Sequence, residues 1–190
     1  LIIITAILWG LAGVCVKSIT WGPLDIVCVR SVVSLIILLL AKGDLRVKFT
    51  KTNILCGLLI TATGILYVAA IKLTTAGTAI ILQYVAPILV FCYEVIFKGK
   101  KARPAELILT ALIFSGVVLS FADDLDFSHV LGNLLALLSG FTFAGEIILM
   151  GGEGSDSMDA TVFGNFMAFA VCLPFFLSDI PTLSFSAENL

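Results

Sequence analysis

Residues 54–97 read ILCGLLITATGILYVAAIKLTTAGTAIILQYVAPILVFCYEVIF. Two apolar runs, 54–72 and 76–97, are separated by only a few small and polar residues. Each run is close to the ~20 residues that an α-helix needs to cross the hydrocarbon layer of a membrane. Because backbone N–H and C=O groups in lipid must pair within their own segment, we interpret the two runs as a hairpin of membrane-spanning helices.

The rest of the chain continues this pattern on both sides of the hairpin. Five further apolar runs occupy about 1–19, 25–41, 105–122, 130–151 and 160–178. The 190 residues are 60% hydrophobic and only 13% charged, whereas a soluble domain has about 25% charged residues. So few charges cannot cover a water-facing surface. The sequence therefore predicts an all-α membrane protein, a polytopic bundle of seven transmembrane helices with the lipid bilayer as its solvent.

The positive charges predict the orientation of this bundle. Loops 42–51 and 98–103 hold eight of the eleven Lys and Arg residues. Two helices separate these loops, so both lie on one side, which the positive-inside rule places in the cytoplasm. We therefore expect a multi-pass protein of the cytoplasmic (plasma) membrane, the cell inner membrane, with a cytoplasmic N-terminus. Two further predicted helices separate loop 98–103 from loop 151–159, so loop 151–159 should lie on the same side, although it carries no cation.

Small residues recur every three or four positions on three of the predicted helices. Such stripes let helix backbones approach closely in lipid, and the same faces often line a shallow cavity. We interpret them first as packing faces. The three stripes are Gly57, Thr61 and Gly64; Ala136, Gly140 and Ala144; and Gly164, Ala168 and Cys172.

The chain also carries a weak internal repeat. An offset of 134 residues aligns Trp9-Gly10 with Phe143-Ala144, and it aligns Asp25 with Asp159. Asp25 opens the second predicted helix and Asp159 opens the seventh. If one unit has five helices, an odd number, the next copy enters the membrane from the opposite side. Inverted repeats of this kind are a common plan of secondary transporters.

Three motifs resemble one family. Residues 7–17, ILWGLAGVCVK, are similar to the opening helix of the EamA repeat in the drug/metabolite transporter superfamily. Residues 70–79, AIKLTTAGTA, followed by Pro87, resemble that family's passage from the third to the fourth helix, and residues 116–119, GVVL, resemble the end of the fifth. At the end of the fourth helix, where the family often has a glutamate after a glycine, this chain has Lys100 after Gly99.

The resemblance implies a domain organisation. Residues 1–122 would form a first EamA repeat of five transmembrane helices. Residues 130–190 would form the start of a second repeat, with two helices within 130–178. Family members have ten helices in inverted five-helix repeats, so the resemblance implies a chain truncated after seven.

Glu146 is the strongest candidate for a functional side chain. Ionisable groups at the centre of a membrane helix cost about 2.5–3.5 kcal/mol on insertion scales. Glu146 lies deep in the sixth helix, with Ser139 and Thr142 on its face. Desolvation disfavours the carboxylate form of such a group, so Glu146 could bind and release a proton. We hypothesise that it couples proton movement to substrate movement or binds a substrate amine; the alternative is a structural hydrogen bond to a neighbouring helix.

Three other charged residues lie nearer the helix ends. Lys17 and Arg30 are a turn or two from the predicted outer face, where they either anchor their helices by snorkelling or recognise a substrate carboxylate in an outward-opening cavity. Glu94 precedes Lys98 by four residues. That spacing predicts an intrahelical ion pair, so we interpret Glu94 as structural.

The fourth helix carries a polar patch. Pro87 frees the carbonyl four residues earlier, which belongs to Gln83. This predicts a mid-membrane position that binds substrate or serves as a hinge; the alternative is a packed kink. Trp9, Tyr67, Tyr84 and Asn165 are further cavity candidates, although each could be a packing residue or, for the aromatic residues, an interface anchor.

Nothing in the sequence points to catalysis. His129 is the single histidine, and H-E-x-x-H, G-x-S-x-G and Walker A motifs are absent. We therefore predict no enzyme, no cofactor, no metal site and no nucleic-acid partner. The resemblance implies a secondary transporter, a permease or exporter of small metabolites such as amino acids, working by alternating access. A non-transporting membrane sensor or scaffold protein is the competing class. The predicted partners are a small-molecule substrate and lipid, with a homodimer left open.

Overall fold

A computed structural model describes residues 11–44, 46–123, 129–152 and 155–179 of the protein. Residues 11–18 form the described part of α1, and the described residues contain no strand. The prediction of an all-α fold is therefore confirmed. The other helices are α2 (Pro23–Lys42), α3 (Lys51–Leu73), α4 (Ala76–Gln83), α5 (Val85–Ile96), α6 (Pro104–Asp123), α7 (Val130–Met150) and α8 (Ser157–Asp179).

Among the described residues, five spans are long and apolar enough to cross a membrane: Pro23–Lys42, Lys51–Leu73, Ala76–Ile96, Val130–Met150 and Ser157–Asp179. Pro104–Leu119 is a shorter apolar helix. These spans agree with the predicted apolar runs to within a few residues. Large apolar side chains such as Leu40, Phe97 and Leu119 are exposed, as expected of faces that contact lipid. The protein is a polytopic helical membrane protein, as the sequence predicts.

Local capping explains where several helices begin and end. The Thr50 hydroxyl accepts a hydrogen bond from the Asn53 N–H at 3.1 Å and starts α3. The Thr75 hydroxyl accepts one from the Thr78 N–H at 3.0 Å and starts α4. Both satisfy a backbone donor that has no partner inside its helix. Gly43, with φ of 67°, ends α2 in the left-handed conformation that glycine adopts most readily.

The span Ala76–Ile96 is interrupted next to Gln83, in the region where the sequence predicts a hinge or a kink at Pro87. α4 ends at Gln83 and α5 begins at Val85, and the Tyr84 N–H between them donates to the carbonyls of Ile80 (3.2 Å) and Ile81 (3.1 Å). Pro87, which has no N–H to donate, follows three residues after the break. Gly140 of α7 packs against it, since a Cβ atom at Gly140 would lie 3.1 Å from the Gln83 carbonyl oxygen.

Helix α3 lies at the centre of the bundle and packs against α2, α7 and α8. Helices α2 and α8 pack along each other in antiparallel directions. Lys42, at the end of α2, pairs with Asp159 in the first turn of α8. At the other end of this pair, the rings of Trp21 and Phe176 lie with their centroids 6.5 Å apart.

The small-residue stripes are packing faces, as predicted. All nine of their residues are buried. The closest approach joins α3 and α8, where a Cβ atom at Gly164 would lie 2.8 Å from Ile60 Cβ and 3.0 Å from the Gly57 carbonyl oxygen. The Thr61 hydroxyl donates to the Gly164 carbonyl at 2.8 Å across the same contact. Small side chains here therefore let two helix backbones nearly touch.

A polar network joins loop 43–50 to the start of α8. The Asp159 carboxylate accepts hydrogen bonds from the Lys42 ammonium and from the Lys48 N–H at 3.0 Å. The Asn53 side-chain oxygen accepts one from the Asp156 N–H at 3.0 Å. The end of α2 and the start of α8 thus lie on one side of the bundle, in agreement with the predicted parity. The loop before α8 carries no cation of its own, but the Lys42 ammonium lies beside it, paired with Asp159.

The predicted ion pair between Glu94 and Lys98 is wrong. Glu94 pairs with Lys100 at 2.7 Å, and Lys100 also contacts Glu106 at 3.3 Å. The Lys98 ammonium instead lies over the ring of Tyr93, 5.8 Å from its centroid. Gly99, with φ of 63°, turns the chain after α5 and brings Lys100 back toward Glu94. These two carboxylates raise the pKa of the Lys100 ammonium above its ordinary value.

We expect Lys100→Ala to lower the midpoint of thermal unfolding slightly, and Lys98→Ala to lower it less, because only Lys100 links the end of α5 to the start of α6. Both effects should be small, since exposed ion pairs contribute little stability. Because the pKa of Lys100 is raised, its contribution should stay constant with pH until alkaline conditions remove the proton. Thermal unfolding of both variants in detergent at pH 6 and pH 8 measures this. A larger effect of Lys98→Ala than of Lys100→Ala would support the ion pair between Glu94 and Lys98 instead.

Candidate functional site

One cavity brings together four of the residues that the sequence singles out. It encloses about 120 Å³ and is partly open. Its walls come from α2, α3, α4 and α7. The predicted candidates among its lining residues are Arg30, Tyr67, Gln83 and Glu146. The other lining residues are Ile60, Thr63, Gly64 and Phe143.

Arg30 supplies the positive charge of this cavity. Its side chain reaches from α2 to the surface of α3, where its Nη2 atom would lie only 2.7 Å from a Cβ atom at Gly64. Arg30 stays exposed on the cavity side. Among the described residues, the ion pairs do not include Arg30. The guanidinium lines a cavity between helices, and both predicted roles of Arg30, interfacial anchor and substrate contact, stay predictions.

Glu146 supplies the negative charge from α7. It is half-buried, and the described residues donate no hydrogen bond to its carboxyl oxygens. The neighbouring hydroxyls are engaged elsewhere: Ser139 donates to the Ala136 carbonyl at 2.7 Å, and Thr142 accepts from Thr63 at 2.8 Å. The predicted alternative, a structural hydrogen bond to a neighbouring helix, is therefore absent from the part of the chain that the structure describes.

Gln83 and Tyr67 complete the polar part of the wall. Gln83 is buried in the last turn of α4, next to the break at Tyr84. Tyr67 is buried on α3, one turn after Gly64. Thr63 adds a hydroxyl to the wall, and Ile60, Gly64 and Phe143 form its apolar part. Small-molecule sites are typically apolar concavities with a few well-placed polar groups, which matches this arrangement.

Lys17 lies apart from the cavity. Its ammonium donates to the carbonyls of Ile71 (3.0 Å) and Thr74 (2.6 Å) at the end of α3. Nearby, the Lys72 ammonium donates to the Ile19 carbonyl. A cation at the end of a helix satisfies carbonyls that have no partner inside the helix. This geometry describes a helix cap rather than a substrate contact.

The remaining predicted residues also fall outside the cavity lining. Tyr84 is exposed at the helix break. Asn165 donates to the Thr161 carbonyl of its own helix at 2.9 Å. Pro87 lines a separate groove of about 390 Å³ that is shared with α6 and α7. Trp9 lies outside the described residues. Their roles as binding or hinge residues stay predictions.

Except for Tyr67, the α3 wall of the cavity and Phe143 are not assigned to a site from the sequence, although the helical spacing of the α3 residues indicates a shared face. Ile60, Thr63, Gly64 and Tyr67 follow the spacing i, i+3, i+4 and i+7, which places them on one face of α3. Gly64 was interpreted only as a packing residue. Phe143 was noted only as the repeat counterpart of Trp9.

Comparison with known families agrees with this architecture. Residues 1–122 match the EamA-like transporter family, which confirms the resemblance carried by the motifs at 7–17, 70–79 and 116–119. No curated protein matches the chain, and no solved structure does. The family match covers well over half of the 190 residues. Its members are membrane transporters of the drug/metabolite transporter superfamily and are generally not enzymes. The chain belongs to the EamA-like transporter family.

Proposed function

We propose that this protein is a secondary transporter of small zwitterionic metabolites, with amino acids as the substrate class, and that the cavity lined by Arg30 and Glu146 is its substrate site. The observation that supports this most directly is the pair of charges on two walls of one cavity. Among the described residues neither charge has a partner in an ion pair.

The chemistry of the two charges suits a zwitterion. A guanidinium presents parallel N–H donors that match the two oxygens of a carboxylate. A carboxylate in a membrane protein that has no protein partner can bind an ammonium group or a proton. The Arg30 wall would therefore hold the carboxylate of an amino acid, and the Glu146 wall its amine. A cavity of about 120 Å³ favours substrates with small side chains.

The movement that we propose is alternating access. Residues 1–122 and 130–190 would be parts of two inverted repeats that rock against each other around the cavity. The antiparallel pair of α2 and α8 would join the two repeats. Proton exchange at Glu146, the substrate gradient or exchange of substrates would supply the energy. The N-terminus would face the cytoplasm, since the basic loops 42–51 and 98–103 would lie on that side.

A sensor or scaffold has no need for an open cavity with opposite charges. In such a protein, Glu146 and Gln83 could be replaced by apolar residues of similar size without loss of activity. Ionisable side chains within membrane helices are costly, which makes a purely structural role a poor explanation for both Arg30 and Glu146. The cavity therefore favours transport over the non-transporting class.

Glu146→Gln should reduce counterflow of the transported amino acid by about tenfold, because the amide cannot bind the substrate ammonium as an ion pair. It should also remove the pH dependence of the remaining flux. The protein from its complete gene is reconstituted into proteoliposomes and tested with a panel of labelled small amino acids at two pH values.

The matched control is Glu106→Gln, the same change at a half-buried carboxylate of α6 that lies outside the cavity and pairs with Lys100. Its flux and pH profile should equal those of the parent. Full flux in Glu146→Gln with an unchanged pH profile would remove Glu146 from the site. Absence of flux for the whole panel in the parent would contradict the proposed substrate class.

A further inference from the structure

Gly64 differs from the other described glycines inside the helices because a charged side chain limits the space beside it. A Cβ atom at Gly64 would lie 2.7 Å from Nη2 and 3.9 Å from Cζ of Arg30, and it would approach no other described residue within 4 Å. Gly57, Gly132 and Gly164, by contrast, meet the backbone of a neighbouring helix or loop. The space at Gly64 is therefore occupied by the charged group of the cavity.

Hydrogen bonds hold helix α3 to two other helices near this contact. On one side of Gly64, the Thr61 hydroxyl donates to the Gly164 carbonyl of α8 at 2.8 Å. On the other, the Thr63 hydroxyl donates to the Thr142 hydroxyl of α7 at 2.8 Å. Because α3 is tied to two helices at these positions, a side chain at residue 64 would displace the end of Arg30 and leave the backbone in place.

We propose that Gly64 is a positioning residue: because it has no side chain, the Arg30 guanidinium can lie directly against α3. This position of the guanidinium is what makes the site require a carboxylate in the substrate. The inference rests on the proposed function of the cavity and deepens it. Arg30 would contact the substrate, and Gly64 would act through Arg30. Even a methyl group at residue 64 would move the guanidinium away from the wall where it meets the carboxylate.

The expected loss is one of selectivity, with the fold retained. An arginine side chain is long and has several rotatable bonds, so it can yield to a methyl group without a change in the helices. Gly64→Ala should therefore produce a folded protein that has lost much of its preference for carboxylates. A glycine needed only for helix packing would instead weaken the transport of every substrate to a similar degree.

The transport test compares each amino acid that the parent carries with its carboxamide, which keeps the amine and lacks the carboxylate. Gly64→Ala should raise the KM for the amino acid by about tenfold and leave the KM for the carboxamide nearly unchanged. Arg30→Met should give the same pattern. In the Arg30→Met background, Gly64→Ala should cause no further change, since residues that act through one group are not additive.

A second test needs no substrate. Alanine is a better helix former than glycine, so Gly64→Ala should raise the midpoint of thermal unfolding once Arg30 no longer occupies the space. The gain should be larger in an Arg30→Ala background than in the parent. The control is Gly116→Ala in α6, where a Cβ atom would meet no described residue within 4 Å. Its gain should be the same in both backgrounds.

The two tests distinguish the contact between Gly64 and Arg30 from its role in substrate selectivity. If Gly64→Ala raises the midpoint of thermal unfolding equally in both backgrounds, Arg30 does not occupy the space beside residue 64, whatever the substrate is. Additive KM changes for Gly64→Ala and Arg30→Met would overturn its role in selectivity. A parent protein that carries no member of the panel would overturn the proposed function and the recognition role with it, while the thermal test would still decide whether Gly64 and Arg30 are coupled.

Discussion

Replacing Gly164 with leucine should leave almost no folded protein. A Cβ atom at this position would already lie 2.8 Å from both Cβ and Cγ2 of Ile60 and 3.0 Å from the Gly57 carbonyl oxygen. Ile60 is branched at Cβ and cannot rotate those atoms away, and a carbonyl oxygen moves only with its helix. Overpacking of a well-packed core costs about 3 kcal/mol or more when the backbone has to shift.

The loss should extend beyond the local clash. Separation of α3 from α8 breaks the hydrogen bond from Thr61 to the Gly164 carbonyl. Close backbone contact is also a main source of helix association in lipid, where the hydrophobic effect no longer drives it. The fraction of monodisperse protein after detergent extraction, measured by size-exclusion chromatography, reports the result.

Gly116→Leu is the matched control for this experiment, because a Cβ atom at Gly116 would meet nothing within 4 Å in the described part of the chain. It adds the same side chain to a membrane helix without a close neighbour. We expect a normal yield of folded protein from this variant. Equal yields from the two leucine variants would show that the contact between α3 and α8 does not limit folding.

Asp159→Ala should destabilise the protein by about 3 kcal/mol, because a buried carboxylate that accepts charged and backbone hydrogen bonds is lost together with its ion pair. Asp159 is only 1% exposed. Its removal leaves the Lys42 ammonium without its carboxylate and the Lys48 N–H without an acceptor. For a protein of this size, such a change lowers the midpoint of thermal unfolding by about 6–12 °C.

Asp44→Ala is the control within the same loop region, since Asp44 is exposed and accepts a single hydrogen bond, from the Arg46 N–H at 2.9 Å. It should leave the midpoint nearly unchanged. Asp159→Asn should lie between the two, because the amide oxygen can still accept from Lys48. If Asp159→Ala unfolds at the same temperature as the parent, the link between loop 43–50 and α8 contributes no stability.

The helices were largely predictable because each membrane span has to satisfy its own backbone. Apolar length alone placed α2, α3, α7 and α8 to within a few residues, and small-residue spacing identified the faces that pack. The break at Tyr84 could not be placed in this way. Pro87 indicates an irregularity, but the contact that accommodates the break comes from Gly140, more than fifty residues later in the chain.

The residue types of the candidate site could be predicted from the sequence, but which residues lie together in one cavity could not. Charged and amide groups at membrane depth drew attention to Arg30, Gln83 and Glu146 because they are costly there. Which of them share a cavity depends on how α2 and α7 pack against α3, and no local pattern reports that. Lys100 shows the same limit: helical spacing favoured Lys98 as the partner of Glu94, but the turn at Gly99 brings Lys100 to it instead.

The break at Tyr84 also has a consequence for biosynthesis. With 8 residues, α4 is about 12 Å long, and with 12 residues α5 is about 18 Å long. Neither piece alone matches a hydrocarbon layer of about 30 Å, so the insertion machinery must recognise Ala76–Ile96 as one segment. Since Gly140 packs against the break and is synthesised later, the nascent segment enters the bilayer before this contact exists. The contact between Gly140 and this break can therefore form only after α7 has been synthesised.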